Sequence, residues 1–159
     1  VEEALYEAGY ENIVANDTLT YPVDDKTPLA WIATEDVGKL MVAALERPEL
    51  ASQRIGVGGL ENVTGPELAA EFSKGLGREI TYREMPLEEF GAALDAVFGP
   101  GAGEGGVQGY KFQRENADKL KMSWDMGPVL EKLPVQMTSI AEWAAQHKAA
   151  FAPESQPAG

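Results

Sequence analysis

Pro28-Leu29-Ala30-Trp31-Ile32-Ala33-Thr34-Glu35-Asp36-Val37-Gly38 is the stretch on which the fold turns. Its first half is a short apolar run that reads as a strand, from Pro28 to Ala33. Its second half opens a helix: Thr34 or Asp36 can cap the first turn, and an acidic side chain there is favoured by the helix dipole. The helix continues to about Arg47. Its predicted apolar face is Val37, Leu40, Met41, Ala44 and Leu45, at a spacing near 3.6 residues per turn. Pro48 ends it, because the residue before a proline is pushed out of helical geometry.

The same strand-then-capped-helix grammar repeats downstream. Arg54 to Gly58 alternates Ile55 and Val57 with smaller or polar residues and is expected to be a short strand. Thr64-Gly65-Pro66-Glu67 matches a capping box, with Pro66 in the first turn where no amide donor is missed. That helix runs to Leu76 and is closed by Gly77. Ile80 and Tyr82 suit a short strand, and Leu87 to Phe98 a helix ended by Gly99-Pro100. A last helix is capped by Thr138 or Ser139 and places Ile140, Trp143, Ala144, His147 and Phe151 on one face. Between these units, Asn16 to Asp25 reads as polar and turn-rich. Gly99 to Gly109 reads as a flexible glycine-rich loop, and Asp125 to Pro128 as a turn. Val1 to Ala8 reads as a helix end with Gly9 as its C-cap.

At 159 residues the chain has the length of one ordinary domain. Its formal net charge of −13 disfavours nucleic-acid backbones and favours solubility. The absence of cysteine excludes disulfides and thiolate chemistry and fits a cytoplasmic location. No apolar run approaches the roughly 20 residues of a membrane span. The acidic start, Val1-Glu2-Glu3-Ala4, is not a signal peptide and is expected not to be the natural start.

Common catalytic patterns are missing. His147 is the single histidine, so a two-histidine zinc motif is impossible and a serine triad would have to run through a residue on an apolar helix face. Gly101-Ala102-Gly103-Glu104-Gly105-Gly106 is formally a G-x-G-x-x-G. It follows a helix rather than a buried strand, however, and Glu104 would sit beside the phosphates. Gly56-Val57-Gly58-Gly59 misplaces the third glycine. None of the five tyrosines has a lysine four residues on, so the Tyr-x-x-x-Lys proton donor of short-chain reductases is absent. Asp24-Asp25 and Glu88-Glu89 are solvated charges in a turn and on a helix surface.

Taken in order, several stretches resemble bacterial NmrA-like proteins, which are atypical short-chain dehydrogenase/reductases. Tyr21 to Gly38 is similar to the family's proline-bearing strand-to-helix segment. Ile55 to Gly59 with Thr64, Glu67, Leu68 and Ala69 resembles the strand and helix that follow it. Leu76 to Tyr82, then Met85 to Phe90, resembles the next unit, and Leu133 to Trp143 the terminal helix start. The resemblance implies an α/β fold: a partial Rossmann-like NmrA fold, mainly the smaller C-terminal, substrate-side subdomain. It would fill residues 1–151, with 152–159 a flexible tail. The family's glycine-rich turn and the buried strand before its Glu-Asn pair have no counterpart here. No cofactor-binding residue is therefore expected in this chain, NAD(P)H entering by resemblance only, and no metal site is expected.

The function so implied is the substrate-side portion of an NAD(P)H-dependent oxidoreductase, whose turnover would need a dinucleotide-binding half. The alternatives are a non-catalytic NAD(P)-sensing regulator and a stand-alone protein-interaction module. The resemblance places Glu11, Asn12 and Trp31 at a substrate cleft, with a core position as the favoured alternative for Trp31, and leaves the catalytic residues unknown. Expected partners are a small-molecule substrate or a regulatory protein, with a homodimer as an option and neither nucleic acid nor membrane involved.

Overall fold

A computed structural model describes residues 13–152. Short strands and helices intermix up to Glu84, and only helices follow among the described elements. Strand β1 is Thr18–Tyr21, β2 is Leu29–Ala30 and β3 is Asn62–Val63, and β4 is Thr81–Glu84. The helices are α1 (Thr34–Leu45), α2 (Gly65–Leu76), α3 (Leu87–Phe98), α4 (Ala102–Glu115), α5 (Gly127–Lys132) and α6 (Ile140–Gln146), with a 3-10 turn at Pro48–Leu50. β1 and β4 pair in parallel, Thr18 opposite Thr81 and Tyr21 opposite Glu84. β2 and β3 form a short antiparallel pair. The expectation of a partial fold confined to a smaller C-terminal subdomain is corrected. A Rossmann-like α/β topology, the parallel β1–β4 pair flanked by helices, extends over nearly the whole chain.

Parallel pairing needs a long crossover, and the segment between β1 and β4 supplies it with α1 and α2. The main core forms where α2 and α6 meet beneath β1. Ile13, Leu19, Leu68, Leu76, Ile80, Ile140, Ala144 and Phe151 are buried there, with Phe72 and Trp143 against them. Arg78 ties the two ends of the described chain together: its guanidinium donates to the carbonyls of Ile13 and Phe151. A second cluster joins α1 to α5 through Leu40, Ala43, Met126, Leu133 and Met137. A third joins α3 to α4 through Met85, Phe90 and Leu94.

The two capping boxes form as their sequences dictate. Thr64 caps α2 and Ser139 caps α6, each with its glutamate reaching back to the cap's own amide. Gly77 closes α2 at φ 71°, the left-handed geometry that glycine adopts without strain. The α3 boundaries are as expected from Leu87 to Phe98.

Several local expectations are overturned. Asn16 to Asp25 contains β1, because a parallel partner outweighs its polar composition. Arg54 to Gly58 forms no ladder. Ile55 and Val57 still pack into the second cluster, and Trp124 lies over Gly56 and Gly58 on the other side. The predicted apolar face of α1 is rotated: Asp36, Leu40 and Ala43 are buried, while Met41 and Leu45 are 62% and 83% exposed. The N-cap of α1 is Ala33, which has no side chain to bond the first amides. The turn at Asp125 to Pro128 does form, with Asp125 accepting from the Gly127 amide, but it launches α5. The expected Val1 to Ala8 helix end with its Gly9 cap lies outside the described residues, as does the tail beyond Ala152.

Candidate functional site

Gly101 to Gly106, the one formal dinucleotide fingerprint, belongs to the helix α4 and its cap rather than to a loop. Glycine disfavours helix by about 1 kcal/mol per residue, so packing must drive it. A Cβ on Gly103 would lie 2.2 Å from the Gly91 carbonyl oxygen, and one on Gly106 2.7 Å from Leu94. The glycines thus let α3 and α4 approach closely. Gly59 serves a similar end, its Cα facing the Trp31 carbonyl at a distance no side chain could occupy. Neither glycine motif leaves a strand-to-helix turn open for a pyrophosphate. Neither motif therefore serves as a pyrophosphate-binding turn among the described residues. Among them there is also no cluster of three or more His, Cys, Asp or Glu suited to a metal ion, and no helix is long and apolar enough to cross a membrane.

The candidate site is a cavity of about 420 Å³ between β1, the β2–α1 junction, α2 and α6. Leu19, Thr20 and Tyr21 of β1 form one wall. Trp31, Ile32, Ala33, Thr34 and Glu35 form a second, Leu68 and Phe72 of α2 a third, and Thr138 to Ile140 with Trp143 a fourth. Ile13 and Phe151 also line it. Such a mixture of apolar walls and a few polar groups suits a small organic ligand.

Trp31, assigned to a cleft by sequence, lies on this cavity. Its ring meets Tyr21 edge-on with centroids 4.9 Å apart. Its indole Nε1 is shielded from solvent and has no hydrogen-bond acceptor among the described residues. The Thr20 hydroxyl is in the same condition, in a residue only 2% exposed. Leaving a buried polar atom unpaired costs about 1–3 kcal/mol. Two such atoms in residues that line one cavity fit a site where a ligand supplies a partner. Glu11 and Asn12, the other two cleft residues assigned by sequence, lie outside the described residues.

Asp36 holds the mouth of the cavity in shape. Its carboxylate is fully buried and accepts the Thr138 amide at 2.7 Å and the Lys39 ammonium at 2.6 Å. This fixes the start of α1 to the approach of α6. Glu61 reinforces the same corner by accepting the Ile140 amide.

Behind Tyr21 lies a group of phenols. Tyr82 donates its hydroxyl to the Val23 and Tyr21 carbonyls. Burial, with the charges of Glu84 and Asp24, pushes its pKa up to about 12. Tyr110 is raised further still, by burial and by its interaction with the Tyr21 phenol. Both therefore stay protonated at neutral pH, and the Tyr82 hydroxyl serves as a fixed donor to the two carbonyls. Asp24 nearby is partly buried, which raises its pKa. The Lys26 amide, the Thr27 hydroxyl and amide, and Arg114 outweigh this and hold it below the usual value.

His147 is where an inert reading puts it: its Nδ1 bonds the Trp143 carbonyl at 2.8 Å and its ring stacks on the Trp143 indole. Thr20, Thr34, Glu35 and Thr138 were missed by sequence reading. Thr20 fell in a stretch taken for turns, and nothing local tells Thr34 or Glu35 from a solvated helix start.

Comparison with known proteins agrees with this architecture. The NmrA-like family model matches residues 7–144. A (4-alkanoyl-5-oxo-2,5-dihydrofuran-3-yl)methyl phosphate reductase of Streptomyces griseus is 30% identical over 128 residues, covering 80% of this chain and 44% of that protein. An NAD(P)H azoreductase of Xenophilus azovorans is 30% identical over 125 residues, covering 77% of this chain and 42% of that protein. The chain thus spans less than half the length of either relative. A Staphylococcus aureus nucleoside-diphosphate-sugar epimerase shares the fold at a TM-score of 0.65 and 19% identity, over 89% of this chain and 48% of its own. The identification with only a C-terminal, substrate-side portion of the family is corrected, since the family match runs through nearly the entire sequence. On that match, the chain belongs to the NmrA-like family.

Proposed function

We propose that this protein serves as a reductase of small unsaturated molecules that draws on NAD(P)H, with the cavity beside Trp31 as its substrate seat. The observation that carries the reading is the pairing of an aromatic-walled cavity of about 420 Å³ with two buried donors that lack partners. Family membership and two relatives named as reductases support the reaction class. Bound NAD(P)H would supply reducing equivalents. The chain's own residues act on the substrate: the apolar walls exclude water, Asp36 holds α1 and α6 in register, and Thr20 and Trp31 offer hydrogen bonds to a substrate acceptor.

The test is NADPH oxidation by the purified protein with azo and unsaturated-lactone acceptors. Oxidation should depend on the acceptor, and the acceptor KM should rise when Thr34→Trp narrows the mouth. Absence of both turnover and a saturable cofactor signal would contradict the proposal.

A further inference from the structure

Gly103, Gly105, Gly106 and Gly109 all lie within α4, although glycine favours helix less than any residue but proline. Packing on α3 accounts for Gly103 and Gly106. It does not account for Gly105 and Gly109, where an added Cβ would meet nothing within 4 Å among the described residues. These two weaken the helix without serving a contact. Gly103 is the one buried residue of α4, and Phe112 is 57% exposed. Among the described elements, the α4 backbone packs on α3 and on no other helix or strand.

The ends of this weak unit are marked. Gly99 and Gly101, at φ 96° and 89°, make the turn from α3. Beyond α4 the chain is fastened again at Trp124. There the Asn62 side-chain amide donates to the Trp124 carbonyl at 2.9 Å and accepts its amide at 2.8 Å. Between those points α4 is held by Asp95 on the Gly103 amide, by Val107 and Tyr110 against the Phe90 cluster, and by Arg114. Arg114 donates to Glu84 at 2.6 Å and to the Pro22 carbonyl at 3.4 Å. Its pair with Glu84 is exposed and contributes little. Few buried apolar contacts and a low helix propensity define a segment that opens without global unfolding.

This segment bears on the cavity through one ring. Tyr21 lines the cavity. It meets Trp31 edge-on with centroids 4.9 Å apart, and Tyr110 of α4 edge-on at 6.2 Å. The Tyr21 wall is thus held between a cavity residue and α4.

We propose that α4 opens and closes as a local unit, and that its opening admits ligands to the cavity, the Tyr110 ring holding Tyr21 in place while α4 is formed. This rests on the reading of the cavity as the substrate seat and adds to it the element that controls entry.

Hydrogen–deuterium exchange read by mass spectrometry tests the opening on the 159-residue chain. Peptides over residues 102–115 should exchange faster than those over 65–76. Gly105→Ala and Gly109→Ala fit without a clash, and each should slow exchange of α4 about fivefold through helix propensity while leaving α2 unchanged. Entry is read by stopped-flow quenching of tryptophan fluorescence with acetylnaphthalene, since Trp31 and Trp143 line the cavity. Each alanine should slow association and dissociation about fivefold and leave Kd unchanged, because both the free and the bound closed states gain equally. Tyr110→Ala should speed both rates, with unchanged exchange in α2 as the control for folding. Exchange of α4 as slow as that of α2 overturns the proposal. Slower exchange in the two alanine variants with unchanged binding rates also overturns it, since entry would then be independent of α4. Failure of acetylnaphthalene to bind overturns the substrate-seat reading and the gating with it, while the exchange rates alone still decide whether α4 opens.

Discussion

Asp36 and Thr138 are 102 positions apart in sequence, yet the Asp36 carboxylate accepts the Thr138 amide at 2.7 Å inside the protein. With Lys39 on its other oxygen, this bond joins the beginning of α1 to the approach of α6 and so sets the mouth of the candidate site. Asp36→Ala should lower unfolding free energy by about 3 kcal/mol, since it strands a buried amide and removes a charged acceptor. Asp36→Asn should cost less, because its carbonyl can still accept. Urea unfolding of the three proteins checks the order, and equal stability of Asp36→Ala and the parent would refute the bond's role.

The helix α4 offers a paired test at two glycines of one motif. Gly103→Ala should destabilise by about 1–3 kcal/mol because its Cβ collides with the Gly91 carbonyl. Gly105→Ala has open space around it and should stabilise by about 1 kcal/mol through helix propensity. Opposite signs in thermal unfolding are expected. A flexible loop would give small effects of one sign.

Acid stability should depend on the two capping boxes. The Thr64 amide and hydroxyl hold Glu67, and those of Ser139 hold Glu142, below the ordinary carboxylate pKa of 4.5. A depressed folded pKa gives stabilisation that is fully present above 4.5 and lost as pH falls through the folded value. Thr64→Ala should cost about 1 kcal/mol at neutral pH and flatten the decline of Tm below pH 4.5. An unchanged slope would count against the boxes.

Tyr82 provides the alkaline counterpart. Its folded pKa of about 12 exceeds the ordinary 10.0. The neutral phenol's contribution is therefore complete below pH 10.0 and disappears as pH rises through 12. The phenolate absorbance of Tyr82→Phe should differ from the parent near pH 12. A difference centred near pH 10 would show the ring to be solvated instead.

Which parts were legible in the sequence follows from how local their causes are. Thr64 with Glu67, Ser139 with Glu142, and Gly77 act within one helical turn, so their residues announce them. The Leu87–Phe98 helix is bounded by Pro86 and Gly99 in the same way. The α1 face was misread because Asp36 counts as polar until Thr138 is brought to it, while Met41 and Leu45 count as core although nothing described covers them. The strand at Thr18–Tyr21 depends on β4, and the α4 helix depends on Gly91 across the hairpin. In the site, Trp31 was placed by resemblance, and its neighbour Thr20 became visible only when β1 was known to line the cavity.

Indole N–H resonances give the most direct test of the central claim. The protein has three tryptophans; Trp31 and Trp143 line the cavity, whereas Trp124 lies over Gly56 and Gly58, away from it. Acetylnaphthalene is titrated into nitrogen-labelled protein, with Trp31→Phe assigning the peak. The Trp31 indole should shift downfield and saturate while Trp124 stays fixed. A Trp31 signal that does not move, or a response confined to Trp124, would contradict the assignment of this cavity as the ligand site.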